Sequence, residues 1–249
     1  LHDLTPRLPT NIQSCVYCHN PSPFHKLKWI DFLNFKFVLF VLFYKYAYSI
    51  NIKRNKFVIV QQDWLKEYFN KQYELENVHV VPPKGDPDQN YLNKEISSVS
   101  GSPGICVKEL TFIYPSLPRT YKNIEMLIKA FKALGDQNTA YTSCKLILTI
   151  EKNENLYSRY LAFLAGKTDN ISFVGRLPHN KIIDYLSAGA VLIFPSRLET
   201  WGLPLSEARL VNADILAANL EYAHETLKGY PKVSFFDVDD VEALVKLID

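Results

Sequence analysis

Four cysteines in 249 residues are too few for a disulfide scaffold, so a reducing compartment is the expectation. No second Cys pair accompanies Cys15 and Cys18, which removes the usual zinc ligand set. Charge of one sign is lacking too: 28 Lys and Arg against 26 Asp and Glu leave a formal charge of +2, and with it no global electrostatic case for nucleic-acid binding. The longest apolar run, Phe37 to Tyr44, is too short and too interrupted to span a bilayer. No charged segment followed by an apolar core opens the chain, so no secretory signal is visible in it. Met126 is the only methionine and Leu1 the first residue, so the chain reads as a fragment, or as a processed or trimmed protein. No internal repeat of short fixed period is evident.

What is present is ample apolar material. A hydrophobic content of 47% supports real cores, and the length admits one large domain or two ordinary ones. Residues Ser14 to His19 read as a short buried strand ending in the turn Asn20-Pro21-Ser22-Pro23. Cys15-Val16-Tyr17-Cys18-His19 matches a haem attachment pattern, but a strand sends the two thiols to opposite faces and Met126 is the sole thioether, so that reading is rejected. His19-Asn20 stands at a strand's C-terminal end, where open α/β sheets bind ligands. From Phe24 to Lys56 the chain is aromatic and basic, with Asp31 the only acid. This is either a packed helix or one that docks on an anionic membrane surface. A strand Lys56 to Val60, a helix Gln61 to Lys71 and a strand Val78 to Val81 follow, and then a polar Gly, Pro and Ser-rich stretch reads as a linker.

Beyond the linker, strands and helices alternate. The strands are 109–114, 146–150, 171–174, 191–194 and 215–218, the helices 123–134, 156–164, 180–188 and one from Pro204, with a last strand-helix pair. Such alternation predicts right-handed βαβ units and a parallel sheet. Val233 to Asp240 imitates a metal-binding Asp-x-Asp in Asp237-Val238-Asp239, but its place near the end of the chain favours Asp239 as a helix cap.

The stretch Leu192 to Arg209, LIFPSRLETWGLPLSEAR, is the most informative. It reads as strand, tight loop, helix, with Pro204 at the first helical position, where a missing N–H costs nothing. Gly202 lets backbone approach a ligand, and Glu199 and Glu207 flank the turn as acceptors for sugar hydroxyls. A second loop, Tyr114 to Asn123, brings Arg119 and Lys122 towards a helix N-terminus, an arrangement suited to a pyrophosphate.

Glu199-x7-Glu207, with Pro195-Ser196 before it and Gly202-Leu203-Pro204-Leu205 inside it, strongly resembles the signature of family 4 retaining glycosyltransferases (glycosyl transferases group 1), of the bacterial polysaccharide and O-antigen type. The resemblance implies a GT-B α/β fold of two Rossmann-like doubly wound lobes with a cleft between them, the N-terminal one truncated. It gives a partial acceptor-side lobe over 1–84, a linker over 85–105 and a nucleotide-sugar-binding lobe over 106–249. It implies that Glu207 holds the nucleotide ribose and that Glu199 contacts the donor sugar. Thr200, Trp201, Gly202 and Leu203 line that sugar, while Lys122 and Arg119 hold the diphosphate. Gly175 and Arg176 belong to the donor site, and His19 faces the donor sugar. The family's common form has Gly-Arg directly after the strand where Ser116-Leu117 stand here, so Lys122 carries over more firmly than Arg119.

The implied reaction moves a sugar from a nucleotide diphosphate sugar to an acceptor hydroxyl with retention, and it needs no metal or other cofactor. Its partners are the donor, a saccharide or lipid-linked saccharide acceptor and an anionic membrane surface, with no nucleic acid. The setting is the cytoplasm or the inner face of the plasma membrane. A nucleotide-sugar epimerase of the same fold and a non-catalytic nucleotide-sugar-binding fragment remain open. A lobe lacking its opening units is expected to expose an unpaired strand edge and to leave the chain binding nucleotide without appreciable turnover.

Overall fold

The computed structural model describes residues 2–9, 11–83, 109–136 and 144–249. The linker expected over 85–105 lies outside the described residues. Two compact units are formed, Leu1–Asp86 with Leu198–Gly202, and Pro87–Arg197 with Leu203–Asp249.

In the first unit, β1 (Cys15–Tyr17), β2 (Phe57–Val60) and β3 (Val78–Val80) form a parallel sheet in that order. Its register aligns Val16, Val58 and Val78, all buried, so one row of β-branched side chains crosses the sheet. Helices α1 (Phe35–Ser49) and α2 (Asp63–Tyr73) contribute Tyr48 and the set Leu65, Phe69 and Tyr73 to the same core. The i, i+4, i+8 spacing on α2 puts those three on one face.

The first strand is shorter than the sequence predicts. His19 and Asn20 turn their N–H groups to the Asp3 carboxylate, at 2.9 and 3.2 Å, and so leave the ladder. The aromatic basic segment is a 3₁₀ turn over Trp29–Asn34 followed by α1, which Asn34 caps by accepting from the N–H of Phe37 at 3.2 Å. Its one acid does not balance the lysines. Asp31 is buried against His25 at 2.8 Å and also accepts from the Lys28 N–H.

The second unit is a six-stranded parallel sheet: β4 (Thr111–Tyr114), β5 (Lys145–Leu148), β6 (Ile171–Phe173), β7 (Val191–Phe194), β8 (Ile215–Ala218) and β9 (Val233–Phe236). The spatial order is β6-β5-β4-β7-β8-β9. Between the strands run α3 (Ile124–Asp136), α4 (Leu156–Ala165), α5 (His179–Ser187), α6 (Leu203–Leu210) and α7 (Glu221–Thr226), with α8 (Val241–Ile248) at the end. All four residues of β4 are buried, the composition expected of a central parallel strand covered on both faces.

Three sequence expectations change here. Helix α6 starts one residue early, at Leu203, and Pro204 stays within the first turn, where its missing N–H has no intrahelical use. The short α7 has no counterpart in the sequence reading, because six residues cannot display a helical period. The cap of α8 is Asp240, which accepts from the Ala243 N–H at 2.9 Å, rather than Asp239. Asp239 is drawn away by an arginine, Arg197, at 3.1 Å.

Candidate functional site

Strand order decides where the site lies. In the second sheet the chain builds outward from β4 through β5 to β6, then returns to β7 on the other side of β4 and proceeds to β9. The order reverses between β4 and β7, and it is outside the C-terminal strand ends at such a reversal that open α/β sheets hold their ligands. Those strand ends lead into 115–123, which carries Arg119 and Lys122, and into the loop that begins at Pro195, whose residues Leu198–Gly202 are counted with the first unit.

The first loop ends in a 3₁₀ turn, Thr120–Lys122, and then in Asn123 with φ 56°. That left-handed residue turns the chain into α3, a conformation asparagine tolerates better than most. Arg119 is exposed; Lys122 is half-buried, its ammonium 5.6 Å from the Tyr121 ring and 5.7 Å from the Phe194 ring at the end of β7. The helix N-terminus expected to meet an anion is partly occupied, since the Ile124 N–H donates to Tyr157 Oη at 3.1 Å.

The second loop carries Gly202 at φ 80°, where a side chain would be strained. Glu199 and Thr200 are half-buried, Trp201 and Gly202 are buried, and Leu203 opens α6 exposed. Glu207 lies in the second turn of α6, and its Oε1 is 3.2 Å from His179 Nε2 at the first residue of α5. Nothing in the sequence marks His179 as part of a site. Its partner is 28 positions away in the chain (207 minus 179), and only helix packing brings α5 and α6 together.

Gly175 and Arg176 leave β6 on the same edge of the sheet. Gly175 has φ 73°, and an added Cβ would stand 3.4 Å from Glu151 Cγ. Arg176 pairs with Glu154 at 2.7 Å, and this hydrogen-bonded carboxylate raises its pKa further. In the first unit His19 is exposed, with Nδ1 3.3 Å from Asp3 Oδ1 and its ring stacked at 6.0 Å on Tyr17. Asp3 also accepts from Tyr48 Oη at 2.8 Å, so the carboxylate that orients His19 is itself held.

Beneath the two loops lies a network that the sequence does not reveal. Arg197 Nη1 contacts Glu125 Oε1 at 3.0 Å and Nη2 contacts Asp239 Oδ1 at 3.1 Å. Tyr157 Oη donates to Glu125, and the Arg197 N–H donates to the Tyr121 carbonyl at 2.8 Å. Asn123 Nδ2 donates to the carbonyls of Pro195 and Val238, at 3.2 and 2.9 Å. With Asp239 on Arg197, Asp237 accepting from the Asp239 N–H at 2.8 Å, and Asp240 capping α8, all three acids of the Asp-x-Asp stretch have partners within the protein. Among the described residues no group of three His, Cys, Asp or Glu is placed to hold a metal ion.

This is an α/β protein with parallel sheets whose crevice lies at the C-terminal strand ends, the class that binds nucleotide-like ligands there. Residues 95–249 match the family described as Glycosyl transferases group 1, and the chain belongs to that family. Among solved structures it is similar to the sucrose-phosphate synthase of Thermosynechococcus elongatus, with a TM-score of 0.68, 16% identity, and coverage of 96% of this chain and 58% of that one. It is also similar to WaaG, a glycosyltransferase involved in lipopolysaccharide biosynthesis, with a TM-score of 0.63, 15% identity and coverage of 94% and 65%. A TarM variant of S. aureus in complex with fondaparinux, alpha-GlcNAc-glycerol and UDP gives a TM-score of 0.60, 15% identity and coverage of 95% and 44%. These likenesses place the fold in the GT-B class, and the chain spans 44 to 65% of the length of those structures. No curated protein matches the chain.

Proposed function

We propose that this chain binds a nucleoside diphosphate sugar at the C-terminal strand ends of the six-stranded sheet, and that the sugar is transferred with retention to the hydroxyl of a saccharide or lipid-linked saccharide. The observation that supports the reading is the reversal of strand order between β4 and β7, at whose C-terminal ends the basic loop and the loop from Pro195 begin. In this reading Lys122 and Arg119 neutralise the departing diphosphate, a preorganised electrostatic contribution that calls for no metal. Glu207 accepts from the ribose hydroxyls, and Glu199 with the Thr200–Leu203 backbone orients the sugar. Gly175 and Arg176 flank the donor, with Gly175 leaving room for it. Family membership supports the transfer, and the UDP in the TarM complex supports a nucleotide donor. Cell-surface polysaccharide or glycolipid assembly at the cytoplasmic face of a membrane is the setting that agrees with the lipopolysaccharide role of WaaG.

The test is a thermal-shift panel of nucleoside diphosphates and their sugars, followed by product analysis with and without a lipid-linked acceptor. Stabilisation by one nucleoside diphosphate over its monophosphate is expected. Epimerised nucleotide sugar without acceptor would move the assignment to an epimerase, and no stabilisation by any diphosphate would overturn the reading.

A further inference from the structure

We propose that Arg197 is a positioning residue for the donor diphosphate, acting through the loop that carries Arg119 and Lys122. This inference rests on the donor site proposed above. Arg197 is unsuited to bind an anion itself, because both terminal nitrogens are engaged by carboxylates, Glu125 at 3.0 Å and Asp239 at 3.1 Å. Two carboxylates around one guanidinium leave the cluster with a net negative charge, which would repel a diphosphate brought into direct contact. What the cluster does is fasten the loops after β7 and β9 to the first turn of α3.

Arg197 stands on the loop after β7, Glu125 on the first turn of α3 and Asp239 on the loop after β9. The Arg197 N–H donates to the Tyr121 carbonyl at 2.8 Å, one residue before Lys122, and the Lys122 carbonyl accepts from Tyr114 Oη at 3.1 Å. Asn123, one residue after Lys122, is tied to the carbonyls of Pro195 and Val238. Both chain neighbours of Lys122 are thus bonded to the loop after β7. The Arg197 side chain is 13% exposed and Glu125 10%, so the fork that closes the clamp operates largely out of water, where a fixed planar geometry counts for more than a mobile charge. Arg197 lies three residues beyond the end of β7 and takes no part in the strand ladder. Its geometry instead holds the ammonium of Lys122 beside the end of β7, where the crevice opens.

The experiment compares UDP with UMP, and ADP and GDP with their monophosphates, on the wild type and on Arg197→Lys, which keeps the charge and loses the fork. UDP, or whichever diphosphate binds, is expected to lose about tenfold in affinity in the variant while the monophosphate is held as before, the size of losing well-placed hydrogen bonds to a charged group. Equal losses for both nucleotides, or none, would show that Arg197 only stabilises the fold. Asp239→Asn gives a second route if Arg197→Lys does not fold: its carboxylate is 59% exposed, and a smaller loss in the same direction is expected. Amide exchange over Arg119–Asn123 reads the clamp without any ligand, and it should quicken in both variants; unchanged exchange overturns the inference. Failure of the wild type to bind any diphosphate, with faster exchange in the variants, would instead sink the donor site and leave the clamp standing.

Discussion

At the scale of single residues, the two glutamates flanking the β7–α6 turn have different surroundings and should fail differently when removed. Glu207 is 23% exposed and meets His179, whereas Glu199 sits in the loop itself. We expect Glu207→Ala to weaken nucleotide binding by about 1.5 to 3 kcal/mol, the cost of a lost charged acceptor. Glu199→Ala should reduce transfer more than nucleotide affinity. Calorimetric titration with the stabilising diphosphate checks the first, and equal affinity in wild type and Glu207→Ala would remove the ribose assignment. Cys18 offers a different test. Burial, with the Asp3 carboxylate as a smaller contribution, pushes its thiol well above the usual range. The native protein therefore keeps Cys18 protonated at pH values where the unfolded thiol, with an ordinary pKa of about 8.5, has begun to ionise. The sign follows: this group contributes stability below the unfolded pKa and loses it as pH rises above it. Mass-mapped labelling at pH 8 should find Cys18 inert in the native state and reactive in denaturant, and native labelling at the rate of a free thiol would contradict the burial.

At the scale of elements, α1 departs from the behaviour of an ordinary packed helix. It is apolar around its whole circumference: Phe37, Val38, Val41 and Tyr48 are buried, while Phe35, Phe40, Phe43 and Tyr46 are exposed, as are Trp29 and Phe32 just before it. Lys26, Lys36 and Lys45 are exposed along the same segment, and Asp31, the only acid between Phe24 and Lys56, is buried on His25. No described helix is long and apolar enough to cross a membrane. We propose that this segment meets anionic lipid headgroups, a contact to which exposed aromatics among lysines are suited. Replacing Lys26, Lys28, Lys36 and Lys45 by Gln should reduce sedimentation with phosphatidylserine vesicles, each charge contributing about 1 kcal/mol. Binding that ignores both the substitutions and added salt would refute this.

For the whole molecule, the two sheets differ in how much apolar structure covers them, and hydrogen exchange should rank them. β4 and β7 have strand neighbours on both sides, and Ile113, Tyr114, Leu192, Ile193 and Phe194 are fully buried. The three-stranded sheet has a smaller core and only β2 between two partners. Amides of β4 and β7 should exchange slowest, at free energies approaching global unfolding, with β1 and β3 well ahead of them. Slowest exchange in the first unit would mean that stability resides where the burial does not.

Much of this architecture is legible in the chain. Val191–Phe194 and Ile215–Ala218 are read to the residue, because strands covered on both faces must be apolar throughout and the Gly, Asp and Asn residues around them end each run. The stretches proposed here as the donor site, the glutamate pair and the basic loop, can be picked out because each is contiguous in the chain. Short elements are less legible: α7 has too few residues for a period, and β1 ends early because Asp3 competes for the N–H groups of His19 and Asn20. Periodicity reports whether a residue is covered, never by what. Strand order, and with it the reversal between β4 and β7, was decided by tertiary pairing, as were the partners of the polar side chains. Asn123 reaches Pro195 over 72 positions and Val238 over 115, Arg197 finds Glu125 rather than solvent, Glu207 meets His179, and Asp31 turns inward to His25. The partner of a charged group is the residue that topology places beside it once water is excluded, and that choice exists only in the folded molecule.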